Sequence, residues 1–161
     1  MMKRVLLTLN SSFLFLCVSM YLGTGWSMVL FSFPMAPQLT VDTYYLPFVL
    51  PVEAATRFFT TMTKLMMVSC LIMIVAEWKM RFRWIPIIVL LATIGATVLT
   101  IYGIFPHNKA MRDGITDPAQ LQQTLSAWIT LNKVRVALWT VQWAAMMSYF
   151  GIKSNEALRV S

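Results

Sequence analysis

The chain has 161 residues, of which 58% are apolar and 12% are charged, and its formal net charge is +7. Soluble domains carry about a quarter charged residues, so this composition excludes an ordinary soluble domain and predicts a single membrane domain over residues 1–161. The thirteen Lys and Arg residues are scattered beside apolar segments rather than gathered on one polar element. Membrane anchoring therefore explains the positive charge, and no nucleic-acid partner is expected.

Four stretches of the chain are long and apolar enough to cross a bilayer, for which about twenty residues are needed. They are residues 5–33, 54–78, 85–105 and 128–150. Strands of a membrane barrel would be about ten residues long with alternating polarity, and the sequence shows no such alternation. We therefore predict an all-α protein that forms a transmembrane four-helix bundle.

The first stretch follows Lys3 and Arg4, as the apolar part of a cleavable signal would. It is too long for a signal, and it has no pattern of small residues at the cleavage distance. Cys17 follows Phe15 and Leu16, where a lipoprotein signal would have small residues. We expect this stretch to stay in the protein as a membrane anchor.

The orientation follows from the Lys and Arg residues near the ends of the four stretches. One side would carry Lys3, Arg4, Lys79, Arg81, Arg83, Lys153 and Arg159, and the other Arg57, Lys109 and Arg112. Acidic residues dilute the smaller group. Both termini are therefore predicted to be cytoplasmic, and with no transit features in the sequence we expect a bacterial inner membrane.

The two connections predicted on the outer side are residues 34–51 and 106–127. The first contains four prolines among aromatic and apolar residues, which predicts a stiff, nonhelical loop that folds over the mouth of the bundle as a lid. In the second, Asp117 before Pro118 is typical of a helix start. The fourth helix is therefore expected to begin well before it enters lipid.

Charged residues inside a bilayer are expensive and usually face the interior of the protein. Lys64, Lys133 and Arg135 lie within the second and fourth stretches. Glu53, Arg57 and Lys64 lie along one face of the second helix. Glu53 and Arg57 are expected to form an ion pair. Lys133 is expected to extend to the outer interface with its aliphatic stem in lipid.

Polar and aromatic residues recur along the fourth stretch at steps of three and four, which predicts one inward face. That face consists of Trp128, Asn132, Arg135, Trp139 and Gln142. With Lys64, His107 and Asn108 in the same outer half, it predicts a cationic cavity with aromatic walls, suited to an anionic or phenolate-bearing aromatic, a quinone or a lipid headgroup. Alternatively, Lys64 and Arg135 extend outward or bind backbone carbonyls and stabilise the bundle.

His107 is a candidate base, or simply an exposed side chain.

Other residues are expected to serve packing. Cys17 and Cys70 fall inside apolar stretches, and Gly23 and Gly25 belong to a patch of small residues that favours close helix contact. One His and six carboxylates offer few ligands, so no metal site is predicted.

Three features of the second half occur together: Pro106-His107-Asn108 after the third stretch, the helix start Asp117-Pro118-Ala119, and Trp128 followed by Asn132 and Arg135 at plus four and plus seven. In this combination the chain resembles the anthrone-oxygenase-like family of small four-span membrane proteins. The first half adds a similar hydropathy pattern. Where many members have a His, this chain has Asn132.

The resemblance implies a cofactor-independent reaction, the oxidation of an anthrone to an anthraquinone by dioxygen. It also implies that Arg135, Asn108 and Lys64 stabilise the enolate of the substrate and that His107 is the candidate base. If the chain is an enzyme, the expected class is thus an oxygenase that acts on an aromatic substrate.

Two functions from different classes are compatible with these patterns. The first is an integral membrane protein that binds a small aromatic or quinone-like molecule in the outer half of the bundle, with oxygenase-type chemistry. The alternative is a noncatalytic accessory or assembly subunit of a larger membrane complex, in which Lys64 and Arg135 are structural or lipid contacts. The expected partners are the lipid bilayer together with such a ligand or such a complex.

Overall fold

The computed structural model describes residues 2–158, which form helices joined by short turns, with no strand within that range. Four long helices dominate the fold. Helix α1 spans Met2–Gln38, α2 spans Tyr45–Ala76, α3 spans Trp84–Asp113 and α4 spans Pro118–Leu158. The all-α prediction is confirmed.

Helices α1, α2 and α3 are long and apolar enough to cross a membrane, judged by length and composition. Helix α4 has 41 residues, but polar side chains such as Asn132, Arg135 and Gln142 lower its mean hydropathy below that of the others. Of the four predicted spans, three are confirmed as helices long and apolar enough to cross a membrane: α1, α2 and α3. Arg159, which entered the orientation prediction, lies outside the described residues.

Each helix packs against two others: α1 and α3 both contact α2 and α4. The buried side chains form two clusters along this assembly. One contains Leu14, Met66 and Met146 in the half that holds the N-terminus. The other contains Phe48 and Ile104 in the opposite half, which we call the outer half. The two clusters provide the walls of the cavity described below.

The connections in the outer half are shorter than predicted, because α1, α2 and α3 extend into them. In place of the nonhelical loop 34–51, only residues 39–44 are nonhelical, and within the connection 106–127 the nonhelical segment is residues 114–117. A proline lacks the N–H that an α-helical bond needs. Here the helix widens near the proline instead of ending: π-helical turns at Met28–Ser32 and Thr100–Ile104 precede Pro34 and Pro106.

The predicted start of α4 is confirmed. The side-chain Oδ1 of Asp117 accepts a hydrogen bond of 3.1 Å from the backbone N–H of Ala119, and Pro118 is the first helical residue. Gly114, just before, has a φ of 96°, a conformation that favours glycine and ends α3. This turn places α4 beside α3 and brings its polar face against the other helices.

Candidate binding cavity

A cavity of about 370 Å³ lies among all four helices, and we call it the central cavity. Trp128 and Gln142 of α4 both line it. They are 14 residues apart, which corresponds to about 21 Å along the helix axis. The cavity is therefore long and narrow, and it suits an elongated or flat ligand.

Arg135 extends into the central cavity from α4. Its Nη2 donates to Oδ1 of Asn132, its Nη1 donates to the Thr100 hydroxyl at 3.4 Å, and its guanidinium lies 4.7 Å from the ring centroid of Trp139. Its Nε is buried and has no hydrogen-bond partner within residues 2–158. No carboxylate in that range lies within 4 Å of it either. A partly buried cation with a buried free donor and no counter-ion favours an acceptor or anion in the cavity.

Asn132 stands behind Arg135 rather than in the cavity wall. Its side chain is fully buried, and its Nδ2 donates to the backbone carbonyl of Trp128 at 2.8 Å. The Trp128 indole in turn donates to Oδ1 of Asn108 on α3 at 2.7 Å. This chain of bonds fixes the guanidinium and joins α4 to α3.

Two rows of threonines face each other across the central cavity, one on α2 and one on α3. They are Thr56, Thr60 and Thr63, and Thr93, Thr97 and Thr100. Each hydroxyl donates to the backbone carbonyl four residues earlier, at 2.7 to 2.8 Å. Because the proton is used within the helix, each oxygen can act only as an acceptor. The oxygens of Thr63, Thr93 and Thr100 already bond to Tyr21, Gln142 and Arg135. Within residues 2–158, those of Thr56, Thr60 and Thr97 are therefore the ones left for a ligand. In both rows the threonines are separated by four and then by three residues, which places them on one helix face. This spacing is visible in the sequence, but our sequence analysis missed it.

Gln142 provides a second unpaired polar atom at the far end of the central cavity. Its Nε2 donates to the Thr93 hydroxyl at 3.1 Å, while its Oε1 is buried without a partner within the described range. The cavity thus offers a free donor at Arg135 and a free acceptor at Gln142. A ligand with an acceptor at one end and a hydroxyl at the other would satisfy both.

Aromatic rings form part of the wall near Arg135. The Tyr21 ring centroid lies 4.8 Å from that of Trp139 and 4.6 Å from that of Phe59. The Tyr21 hydroxyl is held by the Phe59 carbonyl at 3.0 Å and by the Thr63 hydroxyl at 2.5 Å. These contacts give the cavity rigid, flat, apolar surfaces against which an aromatic ring can pack.

The central cavity opens sideways, between α2 and α3. Its exposed lining residues are Thr60 and Lys64 on α2, and Ile101 and Phe105 on α3. The lining residues from α1 and α4 are buried or partly buried. Lys64 therefore lies at this opening, which we call the lateral mouth, rather than deep in the cavity.

The structure brings most of the predicted site residues together. The central cavity is lined by Lys64, Asn108, Trp128, Arg135 and Trp139. Asn132 supports them from behind, as described above.

Three other sequence expectations have different outcomes. His107 is partly exposed and is not part of the cavity lining. Lys133 is exposed on α4, away from the cavity. The expected Glu53–Arg57 ion pair is wrong: the Glu53 carboxylate lies 3.7 Å from Arg112 on α3 instead.

A charged cluster that the sequence analysis missed lies at the opposite end of the molecule. Glu77 is 6% exposed, and its Oε1 accepts from the Tyr149 hydroxyl at 2.9 Å and from Nζ of Lys153 at 2.6 Å. Partial burial lowers the pKa of Lys153, but its bonds to Glu77 and Tyr149 outweigh this and raise that pKa above its ordinary value. The cluster ties α4 to the turn after α2.

No protein-family model, curated protein or solved structure matches this chain. The resemblance to the anthrone-oxygenase-like family therefore stays a prediction.

Proposed function

We propose that this protein is a membrane-embedded four-helix bundle that binds a small aromatic or quinone-like molecule in its central cavity. The observation that carries the proposal is Arg135: a largely enclosed guanidinium with an unpaired Nε, no carboxylate partner among the described residues, and an aromatic wall beside it. A ligand with an acidic hydroxyl or a ring carbonyl would supply the missing acceptor.

In this proposal α4 is the fourth crossing, both termini face the cytoplasm, and the host is a bacterial inner membrane. Packing of α4 against both α1 and α3 supports the crossing, since a helix outside the bilayer would leave their shared faces uncovered. The excess of Lys and Arg at the end that holds the N-terminus supports the orientation. The outer half, with Arg135, would then face away from the cytoplasm.

The shape and polarity of the central cavity narrow the ligand class. The flat walls around Trp139 favour a planar ring, and the threonine oxygens favour a ligand that carries hydroxyl donors. A phenol, a quinol or a quinone satisfies these conditions. A fully apolar lipid tail would leave the Nε of Arg135 without an acceptor.

The oxygenase reaction implied by the resemblance stays a prediction. Arg135 would favour the ionised form of a phenol or enol and so support its reaction with dioxygen. The candidate base His107 does not line the central cavity, so our proposal is confined to binding.

Mass spectrometry of the protein purified in nanodiscs tests the proposal. We expect a small aromatic or quinone-like compound to copurify with the wild type and to fall by about tenfold or more in Arg135→Gln, because a charged hydrogen bond is lost. Lys133→Gln is the matched control: it removes the same charge two residues away, from an exposed side chain outside the cavity. It is expected to retain the compound.

Two results would refute the binding function. One is a compound that copurifies equally with the wild type and Arg135→Gln. The other is the absence of any Arg135-dependent compound together with other polypeptides that copurify at fixed stoichiometry, which would favour the accessory-subunit function. Circular dichroism and size-exclusion chromatography of both variants would show that the fold is intact.

A further inference from the structure

A second cavity of about 760 Å³ lies at the outer ends of α2 and α3, and we call it the rim cleft. Its apolar floor includes Phe48, Val52, Ile101 and Phe105. Its charged lining residues are Glu53, Arg57, Lys109 and Arg112. The cleft therefore combines a hydrophobic floor with an excess of positive charge.

The cations of the rim cleft differ in how far they are neutralised. Arg112 lies 3.7 Å from Glu53 and 3.7 Å from Asp113. Arg57 and Lys109 have no carboxylate within 4 Å among residues 2–158. Two exposed positive charges are thus free to bind an anion above the apolar floor.

The position of the rim cleft indicates where its ligand comes from. It lies where α2 begins and α3 ends, the level at which the headgroups lie if these helices cross a bilayer. A water-soluble anion would use the two cations but not the floor, where Ile101 is 47% and Phe105 36% exposed. A molecule with an anionic head and an apolar chain would use both.

We propose that the rim cleft binds an anionic phospholipid, with its phosphate against Arg57 and Lys109 and the first part of an acyl chain along the floor. The cleft shares Ile101 and Phe105 with the lateral mouth of the central cavity, so the chain would run beside that opening. This site uses different cations from Arg135. It therefore depends on the membrane placement of α2 and α3 but not on ligand binding in the central cavity.

Native mass spectrometry with defined lipids tests this site. Wild-type protein is delipidated and then equilibrated with equal amounts of phosphatidylglycerol and phosphatidylcholine, and the retained lipids are counted. We expect preferential retention of phosphatidylglycerol. The double variant Arg57→Gln/Lys109→Gln should lower that preference by about fivefold, because two exposed ion pairs are lost.

The matched control is Lys79→Gln/Lys133→Gln, which removes the same charge from two exposed side chains outside the cleft. It should keep the wild-type preference. Deacylated glycerophosphoglycerol, added in large excess, should fail to displace the lipid because it cannot use the floor. Equal retention of the two lipids, equal loss in both double variants, or full displacement by the deacylated headgroup would each overturn the proposal.

Discussion

Asn132 accepts a hydrogen bond from the guanidinium of Arg135 with its side-chain oxygen, and it donates to the Trp128 carbonyl with its side-chain nitrogen. A neutral amide can hold a guanidinium in place without neutralising it. The positive charge therefore stays available to a ligand, whereas an aspartate at the same position would have supplied a counter-ion.

We expect Asn132→Leu to destabilise the protein by about 1 to 3 kcal/mol, because a charged donor of Arg135 is left without an acceptor. Arg135→Met in the same background should restore much of that loss, since replacing a buried charged group by an apolar one is often neutral or stabilising. Thermal unfolding in detergent of the wild type, both single variants and the double variant gives the coupling free energy. Additive losses would show that the two side chains do not act together.

Gly25 is required for the close contact between α1 and α4. A Cβ at this position would lie 2.7 Å from the Trp139 ring and 2.9 Å from a methyl group of Val136. Gly25→Ala is therefore expected to lower the free energy of unfolding by about 1 to 3 kcal/mol and to displace Trp139 from Arg135.

Gly23, two residues earlier, is the matched control, because a Cβ there would meet nothing within 4 Å. Gly23→Ala should be neutral or slightly stabilising, since alanine favours the helix. The measurement for both variants is the melting temperature in one detergent. Equal shifts would contradict the packing geometry.

Thr97→Val tests the threonine rows, because valine keeps the shape of the side chain and removes the acceptor oxygen. We expect the amount of copurified ligand to fall by about threefold, the loss of one neutral hydrogen bond. The change in melting temperature should be small. Thr130 on α4 makes the same type of backbone bond, to Ser126 at 2.9 Å, but is exposed and outside the cavity. A similar ligand loss in Thr130→Val would mean that the oxygens of the rows do not contact the ligand.

The Lys153 pKa predicts a loss of stability at alkaline pH. The bonds to Glu77 and Tyr149 raise this pKa above the ordinary value of 10.5. Their contribution to the free energy of unfolding is therefore complete below pH 10.5 and is lost as the pH rises through the raised pKa. Lys153→Met lacks the contribution at every pH. We therefore expect the difference in melting temperature between the wild type and Lys153→Met to shrink as the pH rises from neutral through the raised pKa of Lys153. A constant difference would show that Lys153 stabilises the fold through its apolar stem alone.

The sequence predicted the helices and the polar face of α4 because both depend on local patterns. Long apolar runs and spacings of three and four residues are visible without any knowledge of neighbouring elements. The residues of that face, from Trp128 to Gln142, are indeed turned toward the other helices.

Features that depend on distant residues could not be predicted in this way. Glu53 has Arg57 one turn away, yet it pairs with Arg112, because the end of α3 packs beside the start of α2. The partners of Glu77 come from a different helix, more than 70 residues further along the chain. The first outer connection, residues 34–51, was predicted too long because its prolines were interpreted as helix breakers, whereas α1 continues past Pro34 and α2 begins before Pro47, each with a widened turn.

The lateral mouth between α2 and α3 determines how a ligand would reach Arg135. With these helices in a bilayer, Thr60, Lys64, Ile101 and Phe105 would face the acyl chains rather than water. A ligand would then partition into the membrane first and diffuse in two dimensions to the protein. The fraction of protein with bound ligand would then depend on the mole fraction of the ligand in the lipid. The same total amount of ligand would saturate the protein in a sample with little lipid and would leave most of the protein unbound in a sample with much lipid.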